Sequence, residues 1–252
     1  MAFKIVFLLL FVIFACKQHP KVDDIKNQVK TSKFTDSDSI FLSYIVNPKV
    51  NKIDLYWKND EGKYYNNANK LKNQLLKQNK ELLFSVNGGM YLKNRHPQGL
   101  YIEKGVLIKQ KDTIQNAYGN FYMQPNGVFY ITDSNKVHVC ETTTFSSGNV
   151  KYATQSGPML LIDGKIHPKF NKKSTSKFVR NGVGKLPNGN ILFVMSKQTI
   201  NFYDFANFFK NKGCKNALYL DGFVSRTYLP SQNWTQLDGE FGVMIAVSKT
   251  LE

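Results

Sequence analysis

Between residues 100 and 162 the sequence is cut into short apolar runs bounded by Gly, Asn and Asp, and that rhythm constrains the fold more than any other feature. Residues 100–103, 106–109, 121–124, 128–132, 136–140 and 158–162 are too short for helices and rich in β-branched and aromatic side chains. They read as strands. Lys104-Gly105, Asn126-Gly127 and Asp163-Gly164 are hairpin signals, because such residues accept the positive φ of tight turns. Upstream, residues 40–46 and 53–57 flank Asn47-Pro48 and read as a pair of strands.

Two segments carry helical periodicity. Residues 68–80 place Leu71, Leu75 and Leu76 on one face among lysines and asparagines, and residues 203–212 do the same with Phe205, Phe208 and Phe209. Gly213 stands where a C-capping glycine belongs. Each helix leads into a short apolar strand ending on a polar residue and a glycine: 82–86 before Asn87-Gly88, and 217–220 before Asp221-Gly222. If both strands lie in one sheet with one orientation, Asn87 and Asp221 emerge at the same rim, where sites tend to be built. Two unrelated turn caps account for the same pattern equally well. Residues 191–195 and 241–247 add strands, and a glycine-flanked loop surrounds Arg180. The class expected is α+β: a single domain with a strand-rich mixed sheet and a few amphipathic helices.

The first residues read as a targeting segment. Lys4 precedes an unbroken apolar run over residues 5–15, too short to span a bilayer but right for a signal-peptide core. It ends at Ala15-Cys16, which resembles a bacterial lipoprotein cleavage box. The organisation expected is a signal peptide over 1–15, a charged tether over 16–35 beginning at a lipidated Cys16, and a domain over 36–250. Membrane association would then come from the lipid anchor.

The formal charge of +16 favours anionic partners. Export and the lack of any DNA- or RNA-binding motif argue against nucleic acid. Cys140 and Cys214 could pair in an oxidising compartment, a weak signal at their wide spacing. His96, His138 and His167 are scattered, so no metal and no cofactor are expected, and the protein is expected to be monomeric. Only three of the 34 basic side chains are arginine, and Arg95, Arg180 and Arg226 each lie in or just beyond a glycine-bearing turn. A guanidinium grips phosphate or carboxylate with two parallel bonds, which an ammonium cannot do. That placement points to an anionic substrate. Glu103, at a hairpin edge, is expected to be solvated.

The order Asn87-Gly88-Gly89-Met90-Tyr91, Gln98-Gly99-Leu100, Ser156-Gly157-Pro158 with Asp163-Gly164, Arg180 with Gly182 and Gly184, then Leu220-Asp221-Gly222 with Ser225 resembles the phosphodiester glycosidase family over about residues 40–248. Phe223 and Val224 stand where the family commonly has glycines, and Asn181 where it often has threonine. The resemblance implies hydrolysis of a sugar-1-phosphodiester, here of an envelope glycan or glycolipid. Most glycosidases use two carboxylates, one to protonate a poor leaving alkoxide. A phosphate monoester leaves readily, so one carboxylate suffices. In this scheme Arg180 grips the phosphate, while Asp221 stabilises an oxocarbenium-like sugar, activates water or attacks. Asn87 and the amides of Gly88 and Gly89 orient the substrate, and Gln98, Ser156, Gly157, Gly222, Ser225 and Arg226 complete the binding set. One alternative is a non-catalytic lipoprotein that binds phosphorylated envelope polymers. Another is a phosphodiesterase that cuts P–O, against which the lack of clustered histidines and acids counts.

Overall fold

Apolar faces of three β-sheets converge on one central core. The computed structural model describes residues 37–221 and 224–252. The expected signal peptide, Cys16, the tether and Gly222 lie outside the described residues. The compact unit Thr35–Glu252 holds all the elements that follow.

In chain order these begin with α1 Ser37–Ile40, β1 Phe41–Val46, β2 Ile53–Tyr56, α2 Ala68–Lys77 and β3 Lys80–Asn87. Then come β4 Tyr101–Glu103, β5 Val106–Lys109, β6 Gly127–Thr132, β7 Val137–Glu141, β8 Val150–Ser156, β9 Met159–Ile162 and β10 Lys165–Ile166. The last part comprises β11 Asn181–Lys185, β12 Ile191–Ser196, α3 Phe202–Asn211, β13 Ala217–Asp221, β14 Thr227–Leu229, β15 Trp234–Thr235 and β16 Met244–Thr250. The first sheet runs β1-β12-β11-β13-β9-β10, the second β15-β14-β3-β16-β2 and the third β5-β4-β8-β6-β7.

Strand alternation explains the layering. Ile191, Phe193 and Met195 of β12, with Leu218 and Leu220 of β13, face the central core, where they meet Phe84 and Val86 of β3 and Phe129 and Ile131 of β6. The intervening Leu192, Val194, Ala217 and Tyr219 face the other way, onto Phe205, Phe208 and Phe209 of α3. Covered on both faces, the first sheet reads as near-continuous apolar runs. Each fully buried Phe or Leu contributes roughly 1.5–3 kcal/mol of burial free energy. Leu71 and Leu75 of α2 pack with Leu82 and Ala246 over the second sheet.

Every strand pair among the described residues is antiparallel, which corrects the expected mixed sheet, and the molecule is predominantly β. Helices α2 and α3 do make crossovers between like-oriented strands, β2 to β3 and β12 to β13. In each case another strand inserts between the two: β16 in the second sheet and β11 in the first. That insertion turns every neighbour antiparallel. The two strands expected to pair around Asn47-Pro48 lie in different sheets: β1 joins β12, whereas β2 joins β16.

Further local expectations change. Residues 121–124 are not a strand; a 3-10 turn covers Asn120–Tyr122 and leads through Asn126 into β6, so Asn126-Gly127 makes no hairpin. The loop expected around Arg180 is followed at once by strand β11. Gln155 and Ser156 end strand β8.

Candidate active site

Asn87 and Asp221 end strands of different sheets, β3 and β13, yet their side chains meet. Asn87 Nδ2 donates to Asp221 Oδ2 at 3.2 Å. The two residues do emerge together, but not from one sheet as expected. Asn181 supplies the link. It pairs with Asp221 in register between β11 and β13, its Oδ1 accepts from the Asp221 N–H at 2.8 Å, and its Nδ2 donates to Asn87 Oδ1 at 2.6 Å and to the Asn87 carbonyl at 3.2 Å. The N–H of Arg226 adds a second donor to Asn87 Oδ1 at 3.0 Å. With Oδ1 facing two donors, the Asn87 amide must present Nδ2 to the carboxylate, which fixes the O/N assignment from the network.

The strand end carrying Asp221 is pinned on both sides. Ser156 Oγ donates to the Leu220 carbonyl at 2.6 Å, and Ser225 Oγ donates to the Asp221 carbonyl at 2.8 Å and to that of Val179 at 3.2 Å. Asp221 is only 7% exposed, and its exposed part lies in a cleft of about 470 Å³. Tyr91, Lys93, Arg95, Gln98 and Glu240 give this cleft its polar walls, with Met90, Leu92 and Val224 between them. Tyr91 lies within electrostatic reach of both charges: burial and then the Asp221 carboxylate raise its phenol pKa, while Arg95 pulls it down. The result is a carboxylate at the floor and cations at the rim.

Arg180 does not reach this cleft, which corrects its expected place. Its side chain is fully buried; Nε donates to the Ile200 carbonyl at 2.8 Å and Nη2 to that of Ser176 at 3.1 Å. The guanidinium lies 3.6 Å over the Phe202 ring, with Phe178 and Tyr219 at 5.4 and 5.5 Å. Parity is the cause: Asn181 faces Asn87, so the residue before it points to the α3 side. Burial lowers the Arg180 pKa and the Tyr219 phenol opposes that shift. Arg226 is likewise turned away, its Nε on both carboxylate oxygens of Asp238 at 3.1 Å, so it serves the site through its backbone N–H alone.

The remaining expected residues divide. Gln98 is half-buried and lines the cleft. The Gly88 N–H is committed to the Val243 carbonyl at 2.8 Å, and a Cβ there would stand 2.5 Å from Ile245 Cγ1. Its amide therefore does not serve the substrate. Gly89 has φ +148° and would bring a Cβ within 2.5 Å of Thr154 Oγ1, so no other residue fits. Ser156 spends its hydroxyl on the strand end. Gly157 is packed, with a Cβ there meeting Asn126 Cβ at 2.6 Å.

Glu103 is not solvated as expected. It accepts from Tyr101 Oη at 2.5 Å, and burial raises its carboxyl pKa. Cys140 and Cys214 are free thiols. Among the described residues no group of three or more His, Cys, Asp or Glu could hold a metal ion. The sequence reading missed Asn181, noticed only as a departure from the family pattern. It counted Arg95 only as one of three arginines pointing to an anionic substrate, and gave no role to Tyr91, which stands in a motif it quoted, or to Glu240, which carries no local signal.

Comparisons with known proteins bear on the family and the fold. The sequence profile of the family described as phosphodiester glycosidase matches residues 80–247. The protein YigE of Escherichia coli (strain K12), described as uncharacterized, is 37% identical over 189 residues, covering 74% of this chain and 73% of its own. Among solved structures, the catalytic domain of zebrafish N-acetylglucosamine-1-phosphodiester alpha-N-acetylglucosaminidase, auto-inhibited by its pro-peptide, superposes with a TM-score of 0.59 at 15% identity, covering 82% of this chain and 83% of that one. A hypothetical protein from Synechocystis gives a TM-score of 0.50 at 13% identity over 82% of this chain and 59% of that one.

Proposed function

The chain belongs to the phosphodiester glycosidase family, and on that premise we propose that it hydrolyses the bond between a sugar anomeric carbon and a phosphodiester. The observation that carries this reading is the Asp221 carboxylate, held by Asn87 at the floor of a cleft with Arg95 and Lys93 on its walls. Such a site favours a ligand with a cationic reacting centre and an anionic leaving group. Asp221 stabilises the developing oxocarbenium ion, activates water or attacks the anomeric carbon. The departing phosphate monoester needs no protonation, so a partner general acid is dispensable.

The substrate proposed is an envelope glycan or glycolipid, reached by a monomeric enzyme anchored through a lipid on Cys16. The test is a screen of wild-type protein for release of free sugar from UDP-N-acetylglucosamine and from glycerophosphoglycans, with and without chelator. Sugar release that survives chelation supports the reading. Release of a sugar phosphate instead would mean P–O cleavage, and binding without any turnover would mean a carrier of phosphorylated polymers.

A further inference from the structure

Of the three arginines, only Arg95 lines the cleft that holds Asp221. Its backbone is clamped: the Arg95 N–H donates to the Leu92 carbonyl at 2.8 Å, and its carbonyl accepts from Trp57 Nε1 at 2.9 Å. It holds φ +67°, a conformation non-glycine residues rarely adopt. The chain is thus fixed at the point from which the guanidinium projects.

The guanidinium itself is held by Glu240. Nη1 donates to the Glu240 carbonyl at 2.5 Å, and Nη2 pairs with the Glu240 carboxylate. The Glu240 side chain is 70% exposed and that of Arg95 24%. Tyr91 Oη donates to the same Glu240 carbonyl at 2.6 Å, so the main chain of this loop is tied down independently of the carboxylate. Lys93 adds a second positive charge to the wall.

We propose that Arg95 is the group that receives the anionic phosphodiester in this cleft, and that the Glu240 carboxylate is a resident counter-ion which the substrate displaces. The proposal rests on the reading of the cleft as a sugar-1-phosphodiester site. The carboxylate partner is 70% exposed and can return to water, so exchanging it for another anion costs little. Nη1 keeps its carbonyl while Nη2 and Nε turn their fork to two phosphate oxygens, a geometry lysine does not offer. The phosphate then sits at the wall and the anomeric carbon over Asp221. A neutral glycoside gains nothing from this arrangement, so Arg95 selects for charged leaving groups.

The experiment measures equilibrium binding of UDP-N-acetylglucosamine to the whole mature protein and to Arg95→Ala, Arg95→Lys and Glu240→Gln, each checked by melting temperature. Arg95→Ala and Arg95→Lys should weaken binding by about 30-fold or more, the size expected when a charged contact is truncated. Glu240→Gln should tighten it by about 3- to 10-fold, because an amide competes poorly for the guanidinium. A purely structural ion pair predicts the same sign for both partners, so weakening in Glu240→Gln would overturn the proposal. Unchanged affinity in Arg95→Ala, or no binding to the wild type, would do the same. Turnover by the wild type is scored separately. Binding of this pattern without turnover sinks the hydrolase and keeps Arg95, whereas turnover with equal KM in every variant does the reverse.

Discussion

Asn181 grips Asn87 twice, at its side-chain oxygen and at its main-chain carbonyl, and so decides which end of the Asn87 amide faces Asp221. The first sheet thereby sets the orientation of a residue that belongs to the second. The carboxylate and its partner amide are placed by three strands rather than by a loop, which is the rigid mounting a preorganised site needs.

Asn181→Ala should show this coupling. It removes the side-chain acceptor of the Asp221 N–H and one of the two donors to Asn87 Oδ1 in a buried setting, at a cost of about 1–3 kcal/mol. The melting temperature should fall, and turnover should fall further than the loss of folded protein explains. Unchanged turnover in the folded fraction would mean that Asn87 is oriented without Asn181.

Arg180 behaves as a core anchor in this structure, and its variants should separate from those of Arg95. Arg180→Ala removes a large, fully buried side chain from between Phe202 and Tyr219, with a cost of about 2–5 kcal/mol by analogy with other large-to-small core changes. Urea melts should shift strongly while affinity for UDP-N-acetylglucosamine in the folded fraction stays near wild type. A selective loss of affinity at normal stability would return Arg180 to the substrate.

Acid should destabilise the protein through His167. This buried ring places Nε2 3.0 Å from the Gln124 carbonyl while Nδ1 accepts from the Lys169 N–H at 3.2 Å, so the neutral tautomer with hydrogen on Nε2 is the one that fits. Burial lowers its pKa below the usual 6.5, and Lys169 adds to that. A folded value below the unfolded one means stability that is present above 6.5 and lost as pH falls through the folded value. Thermal melts over that acid window should show a decline that His167→Gln flattens.

The lipoprotein reading predicts that the protein partitions with membranes and that Cys16→Ser releases or misprocesses it. Fractionation of cells expressing each form tests this. Unchanged membrane association in the serine variant would remove the lipid anchor.

Local features were legible in the sequence where a residue's own backbone demands them. Gly213 with φ +83° closes α3, and the Lys104-Gly105 and Asp163-Gly164 turns join β4 to β5 and β9 to β10, as their positive φ values require. Sheet membership was not legible, because nothing near β2 and β3 in the sequence announces that the chain's last strand will separate them. β11 was hidden by Gly182 and Gly184, which suggest a loop. They are glycines for packing, since a Cβ would stand 2.9 Å from the Leu218 carbonyl at one and 2.8 Å from Phe209 at the other. Reading a loop there concealed the alternation that sends Asn181 to the site and Arg180 away from it. Asn87 and Asp221 could be found because a polar residue ending an apolar strand is visible locally, whereas Glu240 matters only through a contact made across the fold.

Asp221→Asn is the substitution that tests the central claim most directly. Asparagine keeps the size of the side chain and can still accept from Asn87 Nδ2, so the variant should melt close to wild type. It removes the charge and the basicity, so hydrolysis of whichever sugar-1-phosphodiester the wild type cleaves should drop by about 10²–10⁴-fold. Melting temperature and hydrolysis rate measured on one preparation decide it: a folded, nearly inactive protein is the result expected. A variant that is equally stable and equally active would contradict the claim, since Asp221 would then be no more than the cap of a turn.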